Sequence, residues 1–309
     1  MLDPRGRQLL LASLRPPVGY HFDCAIGTTY SLDLLALLTT PLAFTLFDWQ
    51  GEDGRLAADP RSPTADPLAL LESLRRCADR IHLFCQAGQI KVPPAHQRLL
   101  AFLEQSVIEV QPPAALRGGP GVFHPKLWVI RYTSSSEPIK YRLVCLSRNL
   151  TFDRSWDTVL ILEGDLIERE RGFRRNRELS EFLASFPGMA LRPESMRDET
   201  RNAVERLSRE IARVKWELPE GIDKIQFWPI GHGANTQWPF SGRIDRFLVI
   251  APFVTEEFLN RIGLEHDAQF LVSRLETLRA LDPTALAGIW QCFCLEDGVD
   301  ATSEEANEN

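Results

Sequence analysis

The chain is expected to fold as an α/β protein, with a mixed sheet covered by helices on its faces. Three observations carry that expectation. Strand-length apolar runs such as HFDCAIG, RIHLFC and KLWVIRY alternate with helix-length segments such as LALLESLRRCA, which is the pattern of layered α/β domains. Clusters of Gly, Pro and Asp separate them, as turns and loops require. The strand-turn-helix order then returns near the C-terminus, after an intervening span dominated by charge.

The elements follow in order. Residues 5–14 (RGRQLLLASL) have the pattern of a short amphipathic helix closed by Pro16-Pro17. HFDCAIGTTYSLDLLALLTT reads strand, turn, helix, with the hydroxyl of Thr29 or Ser31 as N-cap. Residues 42–47 form a second apolar run, followed by the irregular loop GEDGRLAADPRSPTADP. A helix over 68–78 and a strand over 80–85 come next. Pro93-Pro94 then leads to a helix near 96–105, the short strand VIEV and the Gly-rich turn ALRGGPG. VFHPKLWVIRY and YRLVCLS flank the Ser-rich loop TSSSEPIK, which reads as an antiparallel hairpin.

Residues 165–217 mix charge signs at helical spacing and are expected to form a helical connector. Arg171, Arg174, Arg175 and Arg177 are then either a solvated helix face or part of a phosphate-tracking rim. Beyond them, RFLVIAPFVTEEFLNRI reads strand, turn, helix with Thr255 as cap, DAQFLVS and IWQCFCL read as strands, and ETLRAL as a short helix. The expected organisation is a domain over 1–164, the connector over 165–217, and a partial second half over 218–309. That half repeats the order of the first in architecture, with little identity, and stops short of its own hairpin.

The formal charge of -7 argues against a uniformly basic or polybasic membrane-surface protein, yet leaves room for a local basic groove that binds nucleic acid. No apolar run approaches the ~20 residues of a membrane span, and the N-terminus lacks the pattern of a signal peptide. Six scattered cysteines fit thiols in a reducing compartment better than a disulfide framework, so a cytoplasmic location is expected. Cys292-x-Cys294 has no second ligand pair nearby and is not read as a zinc site.

The hairpin gathers the polar chemistry. His124 and Lys126 stand at i and i+2, hence on one face of a strand. Pairing symmetric about Ser136 and Glu137 puts His124 opposite Asn149 and Lys126 opposite Ser147, and cross-strand partners share a face. An imidazole, an ammonium, an amide and a hydroxyl would then surround one small volume. Lys126, Asn149 and Ser147 suit the anionic oxygens of a phosphodiester, and a neutral His124 suits attack on phosphorus. Asp157 is expected either to orient an imidazole and serve the substrate-binding side, or to cap locally. His232, in the turn GHGAN, fits a plain turn histidine better than a second catalytic one. Trp128, Trp156, Trp228 and Trp238 fit packing better than base stacking.

FHPKLWVI followed by CLSRNLT resembles the phospholipase D superfamily, whose signature is His-x-Lys on one strand and Asn at the end of the next. His124-Pro125-Lys126 and Ser147-Arg148-Asn149 match it here. The Ser-x-Asn-Leu sequence, with an aromatic shortly beyond (Trp156), is similar to the tyrosyl-DNA phosphodiesterase branch. Where many members carry an Asp after the Lys this chain has Arg131, as that branch also lacks the Asp. The resemblance implies a phospholipase D-like fold and a metal-independent phosphodiesterase that needs no cofactor. It works through a phosphohistidine, with His124, Lys126 and Asn149 as its catalytic residues. It also implies a site built from two His-Lys motifs, and this sequence has one. The second His is therefore expected from a dimer mate or a C-terminal part. The expected hydrolase is a nuclease acting on DNA or RNA. The alternatives are a non-catalytic nucleic-acid-binding or scaffold subunit, and a lipid-directed phospholipase, against which the absence of a membrane-binding helix weighs.

Overall fold

The computed structural model describes residues 10–45, 67–93, 98–113, 121–152, 157–231, 239, 246–262, 268–287, 289 and 291–294. The chain divides into two compact units, Met1–Ala234 and Asn235–Asn309. In the first, α1 (Leu10–Leu14) leads into β1 (His21–Thr29) and the two-residue β2 (Leu32–Asp33). Two short helices, α2 (Leu34–Leu38) and α3 (Thr40–Thr45), are followed by α4 (Pro67–Cys77), β3 (Ile81–Gln86) and β4 (Ile90–Lys91). Then come β5 (Val107–Val110), β6 (Leu127–Thr133), β7 (Lys140–Leu146), β8 (Val159–Leu166), α5 (Arg177–Ala184), α6 (Asp198–Ile211) and β9 (Val214–Trp216). The seven long strands form one mixed sheet in the order β5-β3-β1-β6-β7-β8-β9. β1, β3 and β5 run parallel, and every pairing from β1·β6 onward is antiparallel.

Each sheet face carries a helical layer. On one, Leu14, Leu37, Phe44, Leu74 and Cys77 pack onto Ile81, Leu83, Trp128, Ile130, Tyr132 and Val144. On the other, Leu179, Leu183, Phe186, Leu207 and Ile211 pack onto Ile26, Phe84, Val129, Leu143 and Leu162. The mixed sheet flanked by helices is the expected fold class. The expected connector, however, is part of this domain. Thr200, Ala203, Val204, Leu207, Ser208 and Ile211 are the buried face of α6, at the 3-4 spacing of an amphipathic helix. The charges that dominate 165–217 occupy its outer face, and β9 closes the edge of the sheet.

The central hairpin forms in a register one residue away from the expected one. Leu127 pairs with Cys145, Trp128 with Val144 and Tyr132 with Lys140, so the connection is centred on Ser136. Core burial explains the choice. This register puts Trp128 and Val144 together on the α1–α4 face and Val129 with Leu143 on the other, whereas a one-residue slip would send every β7 side chain to the wrong side. The N-cap of α2 also differs, because the Asp33 carboxylate, not Thr29 or Ser31, accepts from Leu35 N at 2.9 Å. The helix near 96–105 is a pair of 3-10 turns, Arg98–Phe102 and Glu104–Ser106. Residues 5–9 of the first expected helix and the loop 51–66 lie outside the described residues.

In the second unit β10 (Arg246–Ile250), α7 (Glu256–Ile262), β11 (Ala268–Ser273), α8 (Leu275–Ala280), α9 (Pro283–Leu286) and β12 (Gln291–Cys294) follow one another. Its three strands are parallel and lie in chain order. Phe258 N donates to Thr255 Oγ1 at 3.2 Å, the expected cap of α7. All six cysteines are free, with Cys24, Cys77 and Cys85 buried. No described helix is long and apolar enough to cross a membrane.

Charged groups also tie β1, β6 and β7 to α6. The buried Arg131 donates to Asp23 and to Glu210, each at 2.8 Å, and Tyr141 Oη donates to the same Glu210 oxygen at 2.6 Å. Arg131 is thus a core cross-link on the sheet face opposite Lys126. Removing one partner of such a pair strands the other in low dielectric. Glu210→Ala is therefore expected to lower unfolding stability by about 3 kcal/mol, read from the urea midpoint. Glu210→Gln, which keeps an acceptor for Tyr141, should cost less.

Candidate active site

The site lies where the C-terminal end of β1, the segment entering β6 and the chain leaving β7 converge. In open α/β sheets ligands bind at the C-terminal ends of the parallel strands, and β1, β3 and β5 all end on this side. Pro125 biases His124 toward extended backbone, so the polar pair is set before the regular strand begins. Thr28 secures the junction: its Oγ1 accepts from Leu127 N at 2.9 Å. Leu146 N donates to Lys126 O at 2.8 Å on the other side.

Lys126 is buried at 9% exposure while His124 is exposed. The Lys126 Nζ stands 3.0 Å from Nδ1 and 3.1 Å from Nε2 of His124 and donates to the His124 carbonyl at 3.2 Å. The ammonium is therefore nearly equidistant from the two ring nitrogens and packs over the imidazole face. Among the described residues it has no ion-pair partner. Burial lowers the Lys126 pKa from 10.5 to about 8. His124 is also lowered, first by desolvation and then by the charge of Lys126. Both effects favour a neutral imidazole, the form able to act as nucleophile.

Asn149 reaches this place by a route other than direct cross-strand pairing. Leu150 leaves the hairpin to bridge Leu32 in parallel, Asp33 N donates to Leu150 O at 2.9 Å, and Leu150 N donates to Thr29 Oγ1 at 3.0 Å. Asn149 Oδ1 then accepts from Tyr30 N at 3.2 Å and Ser31 N at 3.4 Å. With its oxygen committed to two backbone donors, the amide leaves its NH2 group to donate outward. The Tyr30 ring lies against His124, centroids 5.1 Å apart, and so links the two polar groups. Sequence reasoning did not single out Tyr30. Its only signal was its place at the end of the β1 run.

Ser147 and Asp157 are placed with each other. Ser147 Oγ donates to Asp157 Oδ1 at 2.8 Å and accepts from Thr158 N at 2.9 Å. Arg148 Nε is 3.8 Å from the second Asp157 oxygen. In the observed register the position opposite Lys126 belongs to Leu146, so Ser147 is not Lys126's cross-strand partner. Among the described residues the bonds of Ser147 and Asp157 to one another match the local-cap alternative for Asp157.

The arginines after β8 and the other described histidines stand elsewhere. β8 starts beside Leu146 and ends at Leu166, next to the Lys140 end of β7. The arginines that follow it therefore leave from the opposite end of the sheet. There Arg169 and Arg175 lie over the Phe173 ring, and Arg177 pairs with Glu181. The rim alternative for these arginines is not what the fold builds. His21 begins β1 at that same far end. His82 is buried on β3, bonded to Thr200 Oγ1 at 3.1 Å, and held near pKa 4 by burial. His96, His232, His266, Trp156 and Trp238 lie outside the described residues.

No protein-family model matches the chain, and no curated protein matches it. Solved structures to which it is similar include yeast tyrosyl-DNA phosphodiesterase, at 15% identity and a TM-score of 0.39, covering 66% of this chain and 37% of that one. Another is polyphosphate kinase from Porphyromonas gingivalis, at 11% identity and a TM-score of 0.38, covering 92% of this chain and 38% of that one. The chain spans less than two fifths of the length of either.

Proposed function

We propose that the chain carries the nucleophilic half of a phosphodiesterase site and acts on DNA or RNA through a phosphohistidine. The observation that carries this reading is the contact between the buried Lys126 ammonium and the exposed His124 ring. A positive charge held in place beside a neutral imidazole favours a phosphate oxygen and a nucleophile at the same spot. Asn149, its oxygen held by Tyr30 N and Ser31 N, supplies a second donor to the non-bridging oxygens.

In the first step a His124 nitrogen attacks phosphorus. A P–N bond forms and the P–O bond to the leaving group breaks, while a second histidine gives that oxygen a proton. In the second step water attacks phosphorus, the P–N bond breaks, and the same second histidine takes the water's proton. In this reading that histidine comes from a dimer mate or from further C-terminal chain, since the sequence carries a single His-x-Lys; among the described residues His21 and His82 do not stand at the site end of the sheet. Lys126 and Asn149 stay bonded to phosphate oxygens throughout and stabilise the charge that develops there.

The decisive experiment offers single-stranded DNA and RNA to the protein in EDTA and measures its mass in solution alongside. Cleavage is expected, with His124→Ala abolishing both cleavage and the labelled phosphoenzyme. Activity that needs added magnesium, or that survives the substitution, defeats the mechanism. Tight oligonucleotide binding with no phosphohistidine in any oligomeric state would assign a binding subunit instead.

The pKa shifts give the pH dependence. The reaction needs His124 neutral and Lys126 charged, so kcat/KM should rise along an acid limb below the ordinary histidine value of 6.5 and fall through about pH 8. Lys126→Arg, whose guanidinium keeps its proton, should remove the Lys126 part of the fall near pH 8 and leave the limb set by the second, proton-donating histidine. A fall through about pH 8 that is unchanged in this variant belongs to another group.

Stability should move the other way. Because the Lys126 pKa falls to about 8 on folding from 10.5, the folded state binds fewer protons than the unfolded chain between those values. Stability from this residue therefore increases as pH rises through that window and is least below it. Lys126→Met is expected to be inactive yet more stable at pH 7, on the order of 1–3 kcal/mol, as read from the melting temperature.

A further inference from the structure

Two glutamines far apart in sequence meet beneath the segment that carries His124. Gln86 ends β3 and is buried, and its Oε1 accepts from Phe123 N at 2.6 Å. Its Nε2 donates to Gln111 Oε1 at 3.0 Å, just past the end of β5. Gln111 Nε2 in turn donates to Gly121 O at 2.7 Å. Gln111 is fixed by its own backbone, whose N–H donates to Met189 O at 2.8 Å. The two side chains thus form one hydrogen-bonded chain from the parallel strands to the two backbone groups that precede His124.

The segment has little freedom left. The Phe123 ring is buried against Phe186, centroids 5.6 Å apart. Gly121 runs so close to residues 112 and 113 that an added Cβ would lie 2.2 Å from Pro113 O. Pro125 lacks an N–H and restricts the residue before it. Among the described residues, the His124 backbone between Phe123 and Pro125 has as its own anchor its carbonyl on Lys126 Nζ.

We propose that Gln86 and Gln111 are positioning residues that set where the His124 imidazole stands. Resting on the phosphodiesterase reading, the proposal adds that β3 and β5, which contribute no reacting group, aim the nucleophile through this relay. An attacking atom must be held within a fraction of an ångström of its path, and a displacement of about 1 Å costs about 100-fold in rate. Losing the Gln86 bond frees Phe123 N and lets the segment shift by such an amount.

The test compares Gln86→Met, similar in size but without hydrogen bonds, with Gln86→Glu, which keeps an acceptor for Phe123 N, and with Gln111→Met at an exposed position. Gln86→Met should lower kcat by about 10- to 100-fold with KM within about threefold. Gln86→Glu should recover most of that loss, and Gln111→Met should lie between. Amide exchange at Phe123 should speed up by at least about tenfold in Gln86→Met, with a change in the His124 Hε1 resonance. An unchanged kcat, or an equal loss in the Met and Glu variants, overturns the proposal. If the unsubstituted chain cleaves nothing, the phosphodiesterase reading falls by itself. Unchanged Phe123 exchange and His124 resonance in the variants would still overturn the relay. Should Gln86→Met fail to fold, the same measurements on Gln111→Met decide.

Discussion

An ammonium group buried at the end of a strand, with an imidazole and a carbonyl as its partners, is the constraint around which this domain is arranged. Lys126 holds its charge where water is largely excluded, and burial has already lowered its proton affinity. Such a group is destabilising unless polar partners are held rigidly in reach. The fold provides them by covering Lys126 from both sides. β1 and β7 flank β6, and the crossing from Asn149 to Leu150 ties the chain leaving β7 to the end of β1. On the proposed reading, an anionic phosphate oxygen supplies the counter-charge for this buried ammonium.

Much of this was legible in the sequence because its signals are local. The alternation of apolar runs and helical segments gave the layered α/β class, and His-x-Lys on one strand gave a shared face. The register was not legible, because the observed pairing and its neighbouring alternative differ by a single position. What decides between them is which of Leu143 and Val144 shares the α1–α4 face with Trp128, a matter of tertiary packing. Asn149 was grouped with His124 by cross-strand pairing, whereas the fold holds Asn149 at the end of β1 through the bridge between Leu32 and Leu150. The charge run after β8 drew attention to its signs, and the apolar stripe of α6 inside it went unread.

Gln86, Gln111 and Tyr30 stayed hidden for a related reason. A glutamine at the end of an apolar run looks like the polar punctuation that ends any strand. Its partner Phe123 is 37 positions away, and no periodicity connects them. Parallel strands make such meetings systematic, since each returns the chain to the same end of the sheet. Residues just past β1, β3 and β5 are therefore neighbours in space, whatever their separation in sequence. A reader of the sequence who had assumed parallel order could have asked what Tyr30, Gln86 and Gln111 do together.

The second unit shows what the hairpin adds to this plan. β10, β11 and β12 are parallel and laid down in chain order, as β1, β3 and β5 are. Within the first unit β6 pairs antiparallel along the other edge of β1, and most of β1 is buried. β10 pairs only with β11 among the described residues, and Leu248 and Ile250 on it are exposed. The antiparallel β6 starts at the side where β1, β3 and β5 end, so its first residues and those just before it lie beside the C-terminal end of β1. The position of His124-Pro125-Lys126 just before β6 follows from that geometry, because earlier or later in the hairpin the same three residues would face a covered layer of the sheet.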